Sequence, residues 1–159
     1  MVVKLLGNKV LYASEEFYIK EAGWRDTREL HQLFKETFSE DWKGVPGSKF
    51  TLVALDKQNH VIGGIERAID KKTSTAEGVS FAVLPEFRGR GVGTALLKTM
   101  DAELKKMGIE KVITLPTESS WNIFRKNGYD YPPDVKAELR MRNVDEKEYI
   151  PGERLMKKL

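Results

Sequence analysis

A glycine-rich loop between a β-type segment and an amphipathic helix restricts the fold of this 159-residue chain more than any other feature. The segment Glu77–Leu84 is typical of a strand and is stopped by Pro85. From Thr94 onward, apolar residues recur at helical spacing, and Gly108 is placed to end the helix in a left-handed conformation. The rest of the chain therefore has to be arranged around a strand that enters a helix through a tight loop.

The loop itself predicts a site for an anion. A helix N-terminus has unpaired N–H groups and the positive end of the helix dipole. Gly89, Gly91 and Gly93 remove the Cβ atoms that would keep a phosphate away from those groups, and Arg88 and Arg90 add positive charge. A pyrophosphate is the ligand that fits this arrangement best. The alternative is a loop that only turns a strand into a helix, with its arginines solvated.

The spacing of the glycines excludes two other phosphate-binding loops. A P-loop needs Lys-Ser/Thr directly after its last glycine, and no such Lys follows here. A dinucleotide-binding fingerprint needs a third glycine three positions after the second. Those positions hold Thr94 or Leu96, depending on which pair of glycines is counted.

The remaining pattern predicts a mixed α/β fold with a central sheet, in a single domain over residues 1–159. The predicted elements, in chain order, are a strand Phe17–Trp24, a helix capped by Asp26 or Thr27, strands Phe50–Leu55, Val61–Ile69 and Glu77–Leu84, the helix from Thr94, a strand Ile109–Leu115, a short helix capped by Ser119 or Ser120 and closed by Gly128, and a last strand Ala137–Val144. Gly63-Gly64 indicates a bulge or a close approach of the backbone. Residues 1–16 can add an N-terminal hairpin, with Leu5–Leu11 folded around Gly7-Asn8.

Composition excludes several functions. The chain has no cysteine, which removes disulfides, thiol catalysis and thiolate metal sites. Its two histidines, His31 and His60, lie far apart in sequence, so we predict no metal site. Charges of both signs are interspersed and sum to +3, so neither a nucleic acid nor a membrane is an expected partner. No apolar run approaches the roughly 20 residues needed to cross a bilayer, and we expect a cytoplasmic protein.

The loop also matches a known pattern, Gln/Arg-x-x-Gly-x-Gly/Ala, as Arg88-x-x-Gly91-x-Gly93. On this segment, and on the order of elements from Phe17 to Val144, the chain resembles the GNAT superfamily of N-acetyltransferases. The resemblance implies a central, mostly antiparallel twisted sheet flanked by helices, with splayed fourth and fifth strands. It implies acetyl-CoA as co-substrate, with the Val83 N–H polarising the thioester carbonyl. The residues that it assigns to acetyl-CoA are Phe81, Ala82, Val83, Arg88, Gly89, Arg90, Gly91, Val92, Gly93, Thr94, Ser120 and Phe124.

A second segment of the family's pattern is kept only in part. The family has roughly Asn-x-x-Ala-x-x-x-Tyr-x-Lys-x-Gly-Phe, which resembles residues 117–129 here. The Tyr that often protonates the departing thiolate is replaced by Phe124, which has no proton to give. A thiol has an unperturbed pKa of about 8.5, so water can serve as the proton donor instead.

Transfer to an amine also needs a group that accepts a proton, because an ammonium has no lone pair. A carboxylate can do this directly or through one water. Glu77 is the first candidate, since the family often places a Glu at this position, and Glu66 and Glu118 are alternatives. Each of the three can equally be an ordinary exposed carboxylate. His31 is predicted to be packed or on the helix surface, and His60 to be solvated in a hairpin loop.

The segment that contains Glu40, Asp41 and Trp42 has two interpretations with respect to binding of the amine acceptor. Glu40 and Asp41 can attract a cationic amine, with Trp42 as a wall or a cation–π face, in the region where the family shapes its acceptor pocket. The segment also fits a solvated turn with Trp42 packed on the core, and we favour this interpretation.

The sequence therefore predicts an acetyl-CoA-dependent N-acetyltransferase that acts on a primary amine of a small molecule or peptide. The absence of cysteine favours direct transfer in a ternary complex, without metal. A non-catalytic acyl-CoA-binding or sensing module on the same fold is the main alternative, motivated by Phe124. A basic nucleic-acid module built on Arg88–Gly91 is a third and weaker one. Homodimerisation is left open, with residues 1–16 as a candidate interface.

Overall fold

The structure is a computed structural model that describes residues 9–44 and 46–159. The chain forms, in order, β1 (Val10–Ala13), β2 (Phe17–Glu21), α1 (Trp24–Thr37), β3 (Lys49–Asp56), β4 (Val61–Asp70), β5 (Thr75–Val83), α2 (Val92–Lys106), β6 (Lys111–Thr114), α3 (Glu118–Lys126), α4 (Pro133–Met141) and β7 (Leu155–Lys158). The predicted mixed α/β fold is confirmed.

The seven strands form one sheet in which each strand lies beside its neighbours in sequence. All neighbouring strands are antiparallel except β5 and β6, which are parallel. These two strands pair only from Thr75–Glu77 to Lys111–Ile113. Beyond Glu77, β5 runs on to Val83 with no described strand beside it on that edge. The strands predicted as the fourth and fifth are β5 and β6, because the predicted order begins at Phe17 and does not count β1. Their separation beyond the Glu77–Ile113 pair confirms the predicted splaying.

Helices cover both faces of the sheet. Successive side chains of a strand point to opposite faces. On β5, Ala82 packs with Leu30, Leu33 and Phe34 of α1. Phe81, one residue earlier, packs into the larger core cluster on the other face, which contains residues of α2, α3 and α4. The sheet therefore separates α1 from the other three helices.

Gly63 and Gly64 serve both purposes that the sequence suggests. Gly63 pairs with Ala54, whereas Val61 pairs with Leu55, so a bulge precedes the two glycines. A Cβ atom on Gly64 would overlap the side chain of Leu30 in α1. Glycine here lets α1 lie directly on β4.

The predicted last strand, Ala137–Val144, is wrong. Residues 137–141 belong to α4, which begins at Pro133, ends at Met141 and buries Val135 and Leu139 one turn apart. Proline is well suited to the first turn of a helix, because the N–H that it lacks would be unpaired there. The chain ends instead in the strand β7 (Leu155–Lys158), which pairs with β6 and which the sequence pattern does not predict.

The boundaries of three other elements also differ from the prediction. The strand that begins at Phe17 ends at Glu21, and α1 begins at Trp24. The N-cap of α1 is Gly23, not Asp26 or Thr27. Asp26 is the third residue of the helix, and its Oδ2 accepts a hydrogen bond from the Gly23 N–H at 2.9 Å. In α3 the cap is Thr117, not Ser119 or Ser120.

The predicted hairpin around Gly7-Asn8 lies largely outside the described residues. Of its described residues, Val10 and Leu11 belong to β1, which forms a hairpin with β2. Among the residues that the structure describes, none of the helices is both long and apolar enough to cross a membrane.

Candidate active site

The separation of β5 from β6 opens a cleft of about 640 Å³ beside the glycine-rich loop. Nine of the residues assigned to acetyl-CoA line this cleft: Phe81, Ala82, Val83, Arg88, Gly89, Gly91, Gly93, Thr94 and Ser120. They come from one edge of β5, from the loop, from the first turn of α2 and from α3. The fold thus brings together segments that are up to 39 positions apart in sequence.

Two backbone N–H groups of β5 are directed at the unpaired edge. The Leu84 N–H donates to Ile62 O, on the β4 side, at 2.8 Å. Hydrogen-bonding direction alternates along an antiparallel strand, so the N–H groups of Phe81 and Val83 point away from β4. β6 does not extend to these residues, which leaves both donors available to a ligand. The Val83 carbonyl is already used, because it accepts the Arg88 Nε–H at 3.0 Å.

The loop holds the start of α2 open to the cleft. Gly91, the residue that precedes α2, has a φ of 86°, and Gly89 has a φ of 78°. Both values lie in the left-handed region that favours glycine. A Cβ atom on either residue would have no other atom within 4 Å, so the space beside them is free. The first N–H groups of α2 have no partner within the helix, and they complete a site suited to an anion.

Three of the assigned residues do not contribute their side chains to this cleft. Arg90 lies over the ring of Phe87, and its Nη1 is 3.7 Å from Glu16 Oε2. The side chain of Val92 is buried in the core, which leaves only its backbone for a ligand. Phe124 lines a smaller, neighbouring cavity.

The cleft also contains two cations that the sequence analysis did not assign, Lys98 and Lys126. Lys98 follows Thr94 by four residues and so lies on the same face of α2. Lys126 is the Lys of the second family-like segment. The helical spacing from Thr94 could have identified Lys98, and the second family-like segment could have identified Lys126.

A second cavity, of about 230 Å³, lies where β5 and β6 separate. Gly78 and Ser80 of β5 and Thr114 of β6 line it together with Phe124. It shares lining residues with the larger cleft, Phe81 among them, so the two spaces adjoin.

The three candidate bases have different surroundings. Glu77 is exposed and forms the last β5–β6 residue pair, with Ile113. Glu66 is buried on the face covered by α1, where its Oε2 accepts the Thr51 hydroxyl at 2.8 Å and lies 3.0 Å from His31 Nε2. Glu118 is exposed on the first turn of α3. Glu77 is the one carboxylate of the three that is both free of described partners and placed at the point of strand separation.

The two histidines are placed as predicted. His31 is packed, with its ring against Trp42 at 4.8 Å between centroids. The side chain of His60 is 76% exposed, in the hairpin between β3 and β4. No described group of three or more His, Asp or Glu side chains is arranged to hold a metal ion.

Trp42 is packed on the core, as the favoured interpretation predicts. Its Nε1–H donates to Ser80 Oγ at 2.7 Å, and its ring lies 5.1 Å from that of Phe34. Glu40 and Asp41, beside it, are exposed. Trp42 also lines the smaller cavity, so the same side chain forms a wall of the site.

Sequence reasoning missed Arg67. This residue is 1% exposed, lines the smaller cavity and lies over the Phe124 ring at 5.7 Å. It also faces Tyr129: burial raises the pKa of that hydroxyl, and the positive charge of Arg67 opposes the rise. The signal was present in the alternation Ile65, Arg67, Ile69, which puts a charge on the core side of β4.

The parted strands and the glycine-bounded helix start agree with the architecture that the family resemblance implies. The sequence profile of the acetyltransferase (GNAT) family matches residues 12–129, and the chain belongs to this family. No curated protein is similar enough in sequence to match the chain.

Several solved structures share the fold. An acetyltransferase of the GNAT family from Staphylococcus aureus has 13% identity and a TM-score of 0.67, over 90% of this chain and 99% of that one. The GNAT family N-acetyltransferase YhbS from Escherichia coli, solved in complex with CoA, has 17% identity and a TM-score of 0.65, over 92% of this chain and 83% of that one. The paiA N-acetyltransferase from Thermoplasma acidophilum, in complex with coenzyme A, has 19% identity and a TM-score of 0.53, over 80% and 66%. At these identities the likeness establishes the fold.

Proposed function

We propose that this protein is an acetyl-CoA-dependent N-acetyltransferase, folded as a single domain, that transfers acetyl directly to a primary amine within a ternary complex. The observation that carries the proposal is the cleft between β5 and β6. It combines two free N–H groups on a strand edge with an open, glycine-bounded helix start. A long ligand with an anionic end and an amide-containing arm fits this combination, and coenzyme A has both.

The donor is proposed to bind along the whole cleft. Its pyrophosphate lies at the loop, held by backbone N–H groups from Gly89 to Thr94 and by the Arg88 guanidinium. Lys98 and Lys126 add positive charge for the remaining phosphate. The pantetheine arm pairs with the β5 edge at Phe81–Val83. The complexes of the E. coli and T. acidophilum proteins with CoA support this assignment by analogy.

Either of the two N–H groups on the β5 edge can polarise the thioester carbonyl. The Val83 N–H is the donor that the family resemblance indicates. The Phe81 N–H is nearer to Glu77 along the strand, and Phe81 lines both cavities. One donor binds the carbonyl oxygen, where it stabilises the charge that develops during attack, and the other pairs with the pantetheine.

Glu77 is the proposed base. The amine nitrogen attacks the carbonyl carbon, the C–S bond breaks, and CoA leaves as a thiolate. Before this attack, the Glu77 carboxylate accepts a proton from the substrate ammonium, directly or through one water, and the second N–H proton passes to solvent once the C–N bond has formed. Glu66 is less suited, because it is buried and because Thr51 and His31 already use one of its oxygens. The thiolate takes its proton from solvent, since Phe124 has none to donate.

Calorimetric titration of the protein with acetyl-CoA tests this function. We expect one site per chain. An absence of binding at millimolar acetyl-CoA would end the proposal.

The replacement of the family's Tyr by Phe124 favours a second candidate function, a non-catalytic acyl-CoA-binding module. Binding of acetyl-CoA without release of free thiol, across a broad panel of amines and peptides, would support that alternative.

A further inference from the structure

The guanidinium of Arg67 is a buried charge with no carboxylate partner among the described residues. The side chain is 1% exposed, and its Nε and Nη2 atoms have no hydrogen-bond partner among the described residues. None of the ion pairs found in residues 9–44 and 46–159 includes Arg67. A buried, unpaired cation is strongly unfavourable, so an anion is expected to complete this site.

The carboxylates close to Arg67 in sequence or on its face of the sheet do not supply that anion. Glu66, the preceding residue, points to the opposite face of the sheet, towards His31. Asp101, on the same side as Arg67, already accepts the Tyr129 hydroxyl at 2.7 Å and the Lys157 ammonium at 3.0 Å.

The cavity that Arg67 lines has the composition of a site for a small anion. Arg67 is the one charged residue among the described residues that line it. Thr114 adds a hydroxyl group to this lining, whereas the Ser80 hydroxyl already donates to Val79 O at 2.7 Å. The volume of about 230 Å³ is enough for a short acidic group, and the cavity adjoins the proposed acetyl-CoA cleft.

The chemistry of a guanidinium also indicates which anion fits. A guanidinium can donate two parallel hydrogen bonds to the two oxygens of a carboxylate. We propose that Arg67 binds a carboxylate carried by a substrate, at the point where β5 and β6 separate. This inference rests on the proposed function. It names the substrate class: the carboxylate belongs either to the amine acceptor, as in an amino acid, or to the acyl group of the donor, as in a succinyl thioester.

Two sets of assays distinguish the sources. In the first, amino acids are compared with the amines formed by removing their carboxylate (lysine with cadaverine, phenylalanine with phenethylamine), and thiol release from acetyl-CoA gives kcat/KM for each. In the second, succinyl-CoA is compared with acetyl-CoA, both by calorimetric binding and as donors to a fixed amine. Each comparison is made with the wild-type protein, with Arg67→Met and with Arg67→Lys.

We expect the carboxylate-bearing member to be preferred in one of the two sets. The preference should be roughly 10- to 100-fold, as for hydrogen bonds to a charged group. The preference should disappear in Arg67→Met. It should be reduced in Arg67→Lys, which keeps the charge but cannot form a bidentate hydrogen bond with a carboxylate. Arg67→Met should not lower the melting temperature, because it removes an unpaired buried charge. Arg67→Lys provides the comparison if Arg67→Met fails to fold.

Three results would overturn the inference. One is the absence of any preference in both sets, and another is a preference that persists in both variants. The third is an equal loss of kcat for every substrate pair, which would assign Arg67 to the departing thiolate instead. In all three, amine-dependent release of thiol from acetyl-CoA by the wild-type protein shows that the proposed function stands on its own. Failure of acetyl-CoA to bind would overturn both.

Discussion

Glu77 of β5 and Ile113 of β6 form the last residue pair before these two parallel strands separate. The pair therefore marks the point at which the free edge of β5 begins. Towards the other end, the free edge of β5 leads to the glycine-rich loop and the start of α2. A donor that lies along this edge with its pyrophosphate at the loop would extend towards this pair, although Glu77 itself lines neither cavity. This relationship connects the geometry of the sheet to the assignment of the base.

Replacing Glu77 by Gln should lower kcat by about 100-fold or more, in the range usual for a general base. The rate of the variant would depend on the neutral fraction of the amine. This fraction rises about tenfold per pH unit as long as the pH is below the amine's pKa of about 10.4. The loss should therefore be greatest at low pH and narrow as the pH rises. Initial rates from pH 6 to 9 measure it. Glu118→Gln, at the exposed start of α3, is the matched control and should retain the wild-type profile; a wild-type profile in Glu77→Gln would remove Glu77 from the mechanism.

Gly91→Ala should weaken acetyl-CoA binding, because a Cβ atom would enter the space proposed for the pyrophosphate. Its φ of 86° also makes Ala unfavourable by about 1–2 kcal/mol. Gly108, at the other end of α2, has the same φ of 86° and equally free surroundings. Gly108→Ala should therefore lose similar stability while binding acetyl-CoA like the wild type. Calorimetry and thermal melting of both variants separate strain from ligand contact, and equal affinities in the two would refute the pyrophosphate assignment.

Lys98→Ala should weaken acetyl-CoA binding by a few-fold and make the affinity less dependent on salt, as expected for a partly screened charge near a phosphate. Lys105, on the same helix but outside the cleft, supplies the control variant Lys105→Ala. Titrations at low and high ionic strength test this. The same salt dependence in Lys98→Ala as in the wild type would place the ligand's phosphates elsewhere.

Glu66→Gln should reduce stability more than activity. The Glu66 carboxylate accepts from Thr51 and contacts His31 while buried, and hydrogen bonds to a charged group contribute about 1.5–3 kcal/mol. Urea unfolding should show a lower free energy of unfolding, whereas the same change at exposed Glu29 of α1 should have little effect. A stable Glu66→Gln protein that has lost its activity would instead make Glu66 the base.

The central unit of the fold could be predicted because its signals are local. Glycines that adopt positive φ, Pro85 after a strand and the apolar spacing of α2 each act over a few residues. The end of the chain could not be predicted in this way. β7 pairs Lys158 with Lys111, and the contact of Lys157 with Asp101 joins residues 56 positions apart.

The site shows the same division. The loop residues follow from the sequence because the helix start and the glycines are adjacent. Arg67 does not, because alternation in β4 places it on the core face without saying which cavity it meets. The bond between His31 and Glu66 spans 35 positions and depends on how α1 lies on the sheet. Contacts between distant segments decide these features.

The most direct test of the account is to follow acetyl-CoA and free thiol together, with and without amine. We expect no thiol release and no acetylated protein in the absence of an amine. With an accepted amine, thiol and acetylated amine should appear in a 1:1 ratio. Acetyl-CoA that binds but is never consumed across amino acids, polyamines and peptides, or an acetylated protein formed before the amine is added, would contradict direct transfer.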